Sequence, residues 1–241
     1  MRLVMCASLG LIVTAALCGC ESTQSKSARL AKEGKGALKE RGLSVARQNA
    51  DVKIVSTATV QDQNGTAVVV DMRNTGKHGL AGLPVAIDVK GASGRSLFRN
   101  DAAGLDQSLV NAPLLLPGRD LLWVNDQVNA SGKPRRVEAR VGREHTRVSG
   151  SPPKLEIRNV KVTVDPVDGL AATGLIVNRS GVEQRKLTVF GVARAGRKVV
   201  AAGRGQVNRL KARKESRFQI FFIGDPRRGR LTLSAPPTVL G

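Results

Sequence analysis

Tyrosine is absent from this sequence, and aromatic residues of every kind make up 2% of its 241 positions. A chain so poor in rings builds its cores from Val, Leu, Ile and Ala, which favours strands with β-branched faces. It also lacks the stacking platforms on which single-stranded nucleic acids are held. Cysteine is as scarce, with Cys6, Cys18 and Cys20 all near the start, so no disulfide framework or paired-thiol motif is available to the rest of the chain. His78 and His145 are the only histidines. Neither has a second His or Cys at ligand spacing, and a zinc site has no signature.

Catalytic motifs are missing in the same way. No Gly-x-Ser-x-Gly elbow occurs. Gly203-Arg-Gly205 lacks the remainder of a dinucleotide fingerprint, and Gly191 to Lys198 does not fit a phosphate loop. Asp101 and Asp106 lack the dense oxygen-ligand spacing of a calcium loop and read as solvated loop acids. The expectation is a protein without cofactor, metal or catalysis.

What is present begins with an address. Arg2 precedes an apolar run from Leu3 to Leu17 that is broken only by small or hydroxyl residues. That is the layout of a secretory signal, and the run is too short to read as a membrane-spanning helix. It ends in Leu17-Cys18-Gly19-Cys20. Leu-x-Gly-Cys in this position resembles the bacterial lipoprotein signal. The resemblance implies cleavage after residue 19, lipid on the Cys20 sulfur, and a body tethered outside the cytoplasm in the cell envelope. Residues 20–50, with seven Lys or Arg against three Glu and glycines at 34, 36 and 42, read as a flexible basic tether. Beside anionic headgroups it can lie along the membrane surface.

From Asp51 the pattern has period two. In Leu83-Pro-Val85-Ala-Ile87-Asp-Val89-Lys, the residues Leu83, Val85, Ile87 and Val89 point inward, while Asp88 and Lys90 point to water. Pro84 marks a strand start or an edge. Val68, Val70 and Met72 share one face of another strand, with Asp71 and Arg73 on the opposite one. Short strands separated by Gly, Asn and Pro at spacings of about ten residues predict an all-β sandwich. A Gly-, Ser- and Pro-bearing stretch lies between Gly142 and Lys154, after which the pattern restarts, with a bulge expected near Asn159. The predicted boundaries are 51–147 for the first sandwich, 148–154 for a linker and 155–241 for the second.

The second unit reads as a repeat of the first. Asn74 matches Asn178 and Leu83 matches Leu187 at an offset of 104, Gly94-Arg95 matches Gly196-Arg197, and Leu116–Arg119 is matched to Leu210–Arg213 at 94. This order of strands and turns resembles the small immunoglobulin-like domains of bacterial envelope proteins, the FxLYD-type domain of lipoproteins above all. That family's Leu-Tyr-Asp signature strand reads Val85-Ala-Ile-Asp88-Val here and Val189-Phe190-Gly-Val-Ala in the second copy. The resemblance implies two tandem immunoglobulin-like β-sandwiches.

Charge is uneven. The chain is formally +20; residues 51–150 carry 13 basic and 10 acidic side chains, and residues 151–241 carry 18 and 6. Cations concentrate at Arg194, Arg197 and Lys198, at Arg209, Lys211, Arg213 and Lys214, and at Arg227, Arg228 and Arg230. The first and third groups fall in turns that a sandwich can place at opposite ends. They are the candidate anion-binding residues, with anionic lipid, an anionic envelope polymer or an envelope protein as partner. Nucleic acid fits the charge but not the compartment. The competing reading is compositional, with Arg placed wherever solvent allows. A binding or scaffolding module is the expected function, and an accessory subunit of an envelope enzyme or transporter is the alternative.

Overall fold

The computed structural model describes residues 42–165 and 169–241. The signal segment 1–19, Cys20 and the tether as far as residue 41 lie outside the described residues. Residues Arg41–Gly241 form one compact unit. The first half contains β1 (Val52–Asp62), β2 (Gly65–Asn74), β3 (Gly79–Lys90), β4 (Ser96–Arg99), β5 (Asn111–Leu115), β6 (Asp120–Val128), β7 (Arg136–Val141) and β8 (Thr146–Val148). The second contains β9 (Leu155–Asp165), β10 (Gly169–Asn178), β11 (Gln184–Ala195), β12 (Lys198–Leu210), β13 (Glu215–Phe221), β14 (Ile223–Gly224) and β15 (Arg230–Ser234). Every pairing is antiparallel. The fold is an all-β sandwich architecture, as the alternation predicts.

Each half pairs a three-stranded sheet with a sheet built around a long strand. The orders are β1-β2-β6 and β9-β10-β13 for the former. In the latter, β3 carries β4 and β5 along one edge and β7 and β8 along the other, and β11 lies between β12 and β15. Where the first half has β4, a loop over 100–110 and β5, the second has the single strand β12. That replacement is why the offset falls from the 104 joining Asn74 to Asn178 to the 95 joining Trp123 to Phe218. It also moves one match by a residue: Leu115 corresponds to buried Leu210, and Gly118 (φ 65°) to Arg213 (φ 56°).

The inner face of β2 carries Val68, Val70 and Met72, and Trp123 sits opposite Val70 on β6. The outer face is dry over Ala67 and Val69, with Asp71 half-buried and Arg73 exposed beyond them. Val69 is 1% exposed and Val124 0%, and both belong to a core cluster that includes Phe190, Val192, Ala202 and Ile223 of the second half. The β1-β2-β6 sheet therefore packs on its own partner sheet with one face and on the β11–β12 sheet with the other. The opposite face of β11, with Leu187, Val189 and Ala193, joins Ala172, Ile176 and Ile220 in a second core. The sheets thus stack, and the middle interface joins the two halves. Continuous apolar runs, Ala67 to Val70 and Val189 to Ala193, are what strands buried on both faces require.

Several local expectations change for physical reasons. Pro84 lies within β3, a central strand, not at its start or at a sheet edge. Val85 N–H donates to Val110 O, while Pro84 O accepts from Gly142 N–H. The proline's missing donor therefore faces the break between β7 and β8, where no ladder bond is lost. Lys90 and Asp88 do not simply face water: their side chains are 17% and 19% exposed and form a 3.2 Å ion pair. The tether ends before residue 50, because Asn49 N–H donates to Val141 O and Val141 N–H to the Gln48 side chain. The stretch after Gly142 contains β8, whose Arg147 pairs with Glu144 at 2.7 Å. The β9 bulge falls where the phase change places it, with Asn159 at φ 53° and the register shifting between Thr173 and Leu175.

Gly203 and Gly205 are strand residues of β12. A Cβ on either would stand 2.0 Å from the Phe221 or Gln219 carbonyl oxygen, so glycine there lets β12 approach β13. At the other end of the β13-β10-β9 sheet, edge strand β9 leaves Val160, Val162 and Val164 between 37% and 66% exposed.

Candidate functional site

The antiparallel β11–β12 hairpin turns at Gly196-Arg197, with Gly196 in the left-handed region at φ 59°. This turn places Arg197 and Lys198 at the tip of the sheet. β15 then pairs with β11 so that Arg230 stands opposite Arg194. A 3-10 turn, Pro226–Arg228, leads into β15, and Gly229 passes so close to Arg194 that a Cβ would meet its carbonyl oxygen at 2.7 Å. The basic groups that a sandwich could have set at opposite ends therefore share one end of the second half. Arg209, Lys211, Arg213 and Lys214 lie at the other end of β12, on the order of 40 Å away at about 3.3 Å per strand residue.

The six candidate residues are not equivalent. Arg194 reaches across to the first half and pairs with Asp71 at 2.8 Å, both side chains half-buried. Arg227 closes on Asp225 with Nε and a terminal guanidinium nitrogen, each at 2.9 Å, and Asp225 also accepts the Arg227 N–H. Arg197, Lys198, Arg228 and Arg230 are exposed and make no ion pair among the described residues. These four, rather than all six, are available to an external anion.

Beside them opens a cleft of about 800 Å³, between the β1–β2 hairpin of the first half and the β12, β14 and 226–228 segments of the second. Its apolar wall includes Val60, Leu170, Val199, Val200 and Phe222, and Lys198 and Arg228 are its cations. Its carboxylates, Asp62 and Asp225, already have partners. Asp62 accepts the N–H groups of Gly224 and Asn64, both at 2.7 Å, and Asp225 is held by Arg227. None of the apolar residues or Asp62 was legible as a site, because they come from segments more than a hundred residues apart. Only the packing of the halves assembles them.

A second polar cluster bridges the halves. Arg204 donates to Asp126 through its backbone N–H at 3.1 Å and its Nε at 2.9 Å, and to the Ser108 hydroxyl. The side chains of Arg204 and Asp126 are 12% and 17% exposed. With Arg204 and Asp126 matching each other's charge across the halves, this cluster is an interfacial clamp. Asp106 accepts the Ser108 N–H and hydroxyl, so it caps the 107–109 turn instead of standing as a free loop acid. No group of three or more His, Cys, Asp or Glu among the described residues could hold a metal ion, and no helix among them is long and apolar enough to cross a membrane.

Carboxylates held by a cation or by N–H and hydroxyl donors tie the stability of the fold to pH. The Arg227 guanidinium above all holds Asp225 below the ordinary carboxylate range, against the opposing effect of burial and with help from the Arg227 backbone N–H. Ser108, through hydroxyl and N–H, does the same for Asp106; Arg73 does so for Asp120 and Arg147 for Glu144. A carboxylate whose folded pKa is depressed stabilises the fold above its unfolded pKa and loses that contribution as pH falls through the folded one. Thermal unfolding of residues 41–241 should be nearly independent of pH from neutrality down to about pH 5 and fall steeply below about pH 4, where free carboxyls begin to protonate. A midpoint unchanged at pH 3 would show that these pairs contribute nothing.

Compared with models of known protein families and with curated proteins, the chain matches none.

Proposed function

We propose that the chain is an envelope lipoprotein, anchored by lipid on Cys20, whose all-β body is a non-catalytic binding module for anionic lipid or anionic envelope polymer. One observation carries the reading: Arg197, Lys198, Arg228 and Arg230 are brought to one end of the molecule from two distant stretches, exposed and without an ion pair among the described residues. Lys211, Arg213 and Lys214, at the far end of β12, are exposed without an ion pair as well and serve as the comparison set. The tether's own positive balance, seven Lys or Arg against three Glu, adds to the attraction for an anionic surface.

The test is vesicle co-sedimentation of residues 41–241, which fold as one unit, with phosphatidylcholine containing half phosphatidylglycerol. Binding should fall steeply with salt and be absent from pure phosphatidylcholine. Reversing Lys198, Arg228 and Arg230 to Glu should weaken it by on the order of a hundredfold, at about 1 kcal/mol or more per cation near such a surface. Reversing Lys211, Arg213 and Lys214 at the far end should have a much smaller effect. Equal losses from the two triple variants would leave only diffuse charge.

A further inference from the structure

We propose that the cleft between the halves is a site for a single anionic amphiphile, a carboxylate or phosphate on a linear apolar chain, with its head at Lys198 and Arg228. The inference deepens the proposed anion-binding role, since it uses the same cationic end. It rests on a second, independent feature, the apolar wall.

A site for a simple anion needs no hydrophobic surface beside its cations. Here Val60, Leu170, Val199, Val200 and Phe222 line one continuous cleft. Its volume of about 800 Å³ lies in the range of small-molecule sites, roughly 300–1,000 Å³. Val60 comes from the first half and the others from the second, so the wall exists only in the assembled unit. A polar polymer would leave that wall unused, whereas an acyl chain would cover it.

The charges discriminate as well. Asp62 and Asp225 would repel an anion if they faced it freely. Asp225 is matched by Arg227. Asp62, exposed and bonded to the N–H groups of Gly224 and Asn64, keeps its negative charge at the tip of the β1–β2 hairpin, which leaves Lys198 and Arg228 as the place for an anionic head. Lys198 and Arg228 are the cationic lining residues; both are exposed and neither forms an ion pair among the described residues. Long cationic side chains at the rim of an apolar cleft can lay their stems along it while the charge meets a headgroup. Arg197 and Arg230 stand at the same end and raise the local potential without lining the cleft.

The experiment titrates residues 41–241 with laurate and with dodecyl phosphate, both below their micelle concentrations, by calorimetry. Inorganic phosphate and the uncharged dodecyl maltoside serve as the chainless and headless counterparts. Both anionic amphiphiles should bind one per chain. Inorganic phosphate should bind on the order of a hundredfold more weakly, because the chain's apolar contacts are lost. Lys198→Gln with Arg228→Gln should weaken laurate binding about tenfold or more, whereas Lys211→Gln with Lys214→Gln should not. Leu170→Gln should weaken laurate but leave inorganic phosphate unchanged, and its unfolding midpoint tells a lost contact from a lost fold.

Phosphate binding as tight as dodecyl phosphate would overturn the amphiphile site while leaving the cationic surface intact. Maltoside binding as tight as laurate would overturn the role of the two cations. Loss of vesicle binding with laurate binding retained would overturn the surface reading and leave the cleft. Many laurate molecules per chain, insensitive to the Lys198 and Arg228 substitutions, would mean non-specific adsorption and overturn the site.

Discussion

Val69→Asp is expected to unfold residues 41–241 as a whole, in one transition and as completely as Ile87→Asp. Val69 lies on the face of β2 turned away from its own half's core, where an isolated sandwich would carry solvent-facing residues. It is 1% exposed nonetheless, between Ala58 and Val124, in the core shared with Phe190, Val192 and Ala202. A carboxylate there would be buried without a partner, next to the face that already carries Asp71. Ile87, at 3% exposure on β3, is the equivalent test of the inner face. Each substitution should cost about 4 kcal/mol or more, the upper range for single changes and comparable to the total stability of many domains. Urea unfolding followed by tryptophan fluorescence, which reports Trp123 in the first half, and by circular dichroism, which reports both, should give coincident curves for the unmodified chain. If Val69→Asp costs under about 1 kcal/mol, as a surface change does, the halves are independent and the shared core has no energetic content. The same logic applies to proteolysis within residues 149–154. The nicked fragments should remain together on gel filtration, since the middle interface holds them.

Asn74→Ala and Asn178→Ala should each lower stability by about 2–4 kcal/mol, and by similar amounts. Both side chains are buried, at 0% and 1% exposure, and both do the same work at the end of equivalent strands. The Asn74 amide donates to the carbonyls of His78 and Leu115, at 2.7 and 3.0 Å, while its oxygen accepts Gly76 N–H at 2.8 Å. The Asn178 amide donates to Val182 and Lys211, at 2.7 and 3.3 Å, and its oxygen accepts the N–H and hydroxyl of Ser180. Each asparagine, itself buried, therefore ties a strand end to the following turn and to a more distant backbone carbonyl. Alanine leaves those backbone groups unpaired. Aspartate keeps the acceptor and loses both donations, so it should be no better. Denaturant titration measures both losses. A silent Asn178→Ala beside a costly Asn74→Ala would mean that the repeat is geometric without being energetic.

Much of this protein was legible because period-two alternation is a local property. The strand faces of Leu83 to Val89, the bulge at Asn159, the two Asn turns and the restart after residue 154 all follow from neighbours in sequence. The basic residues were legible as a list. The register of the repeat was legible only to within a residue, since a Gly118 turn and an Arg213 turn look unlike each other until both are seen at positive φ.

By itself the sequence determined the all-β class, the inward residues of the best strands and the excess of cations in the second half. Tertiary structure alone decided what covers the outer face of β2, which cations are free and where a cleft lies. The physical reason is that these depend on contacts between residues far apart in the chain. Arg194 and Arg227 look the same as Arg228 in sequence, but Asp71 approaches one from 123 positions away and Asp225 folds onto another. Val60 becomes a wall for Lys198 and Arg228 only because the dry faces of two sheets, one from each half, bury each other.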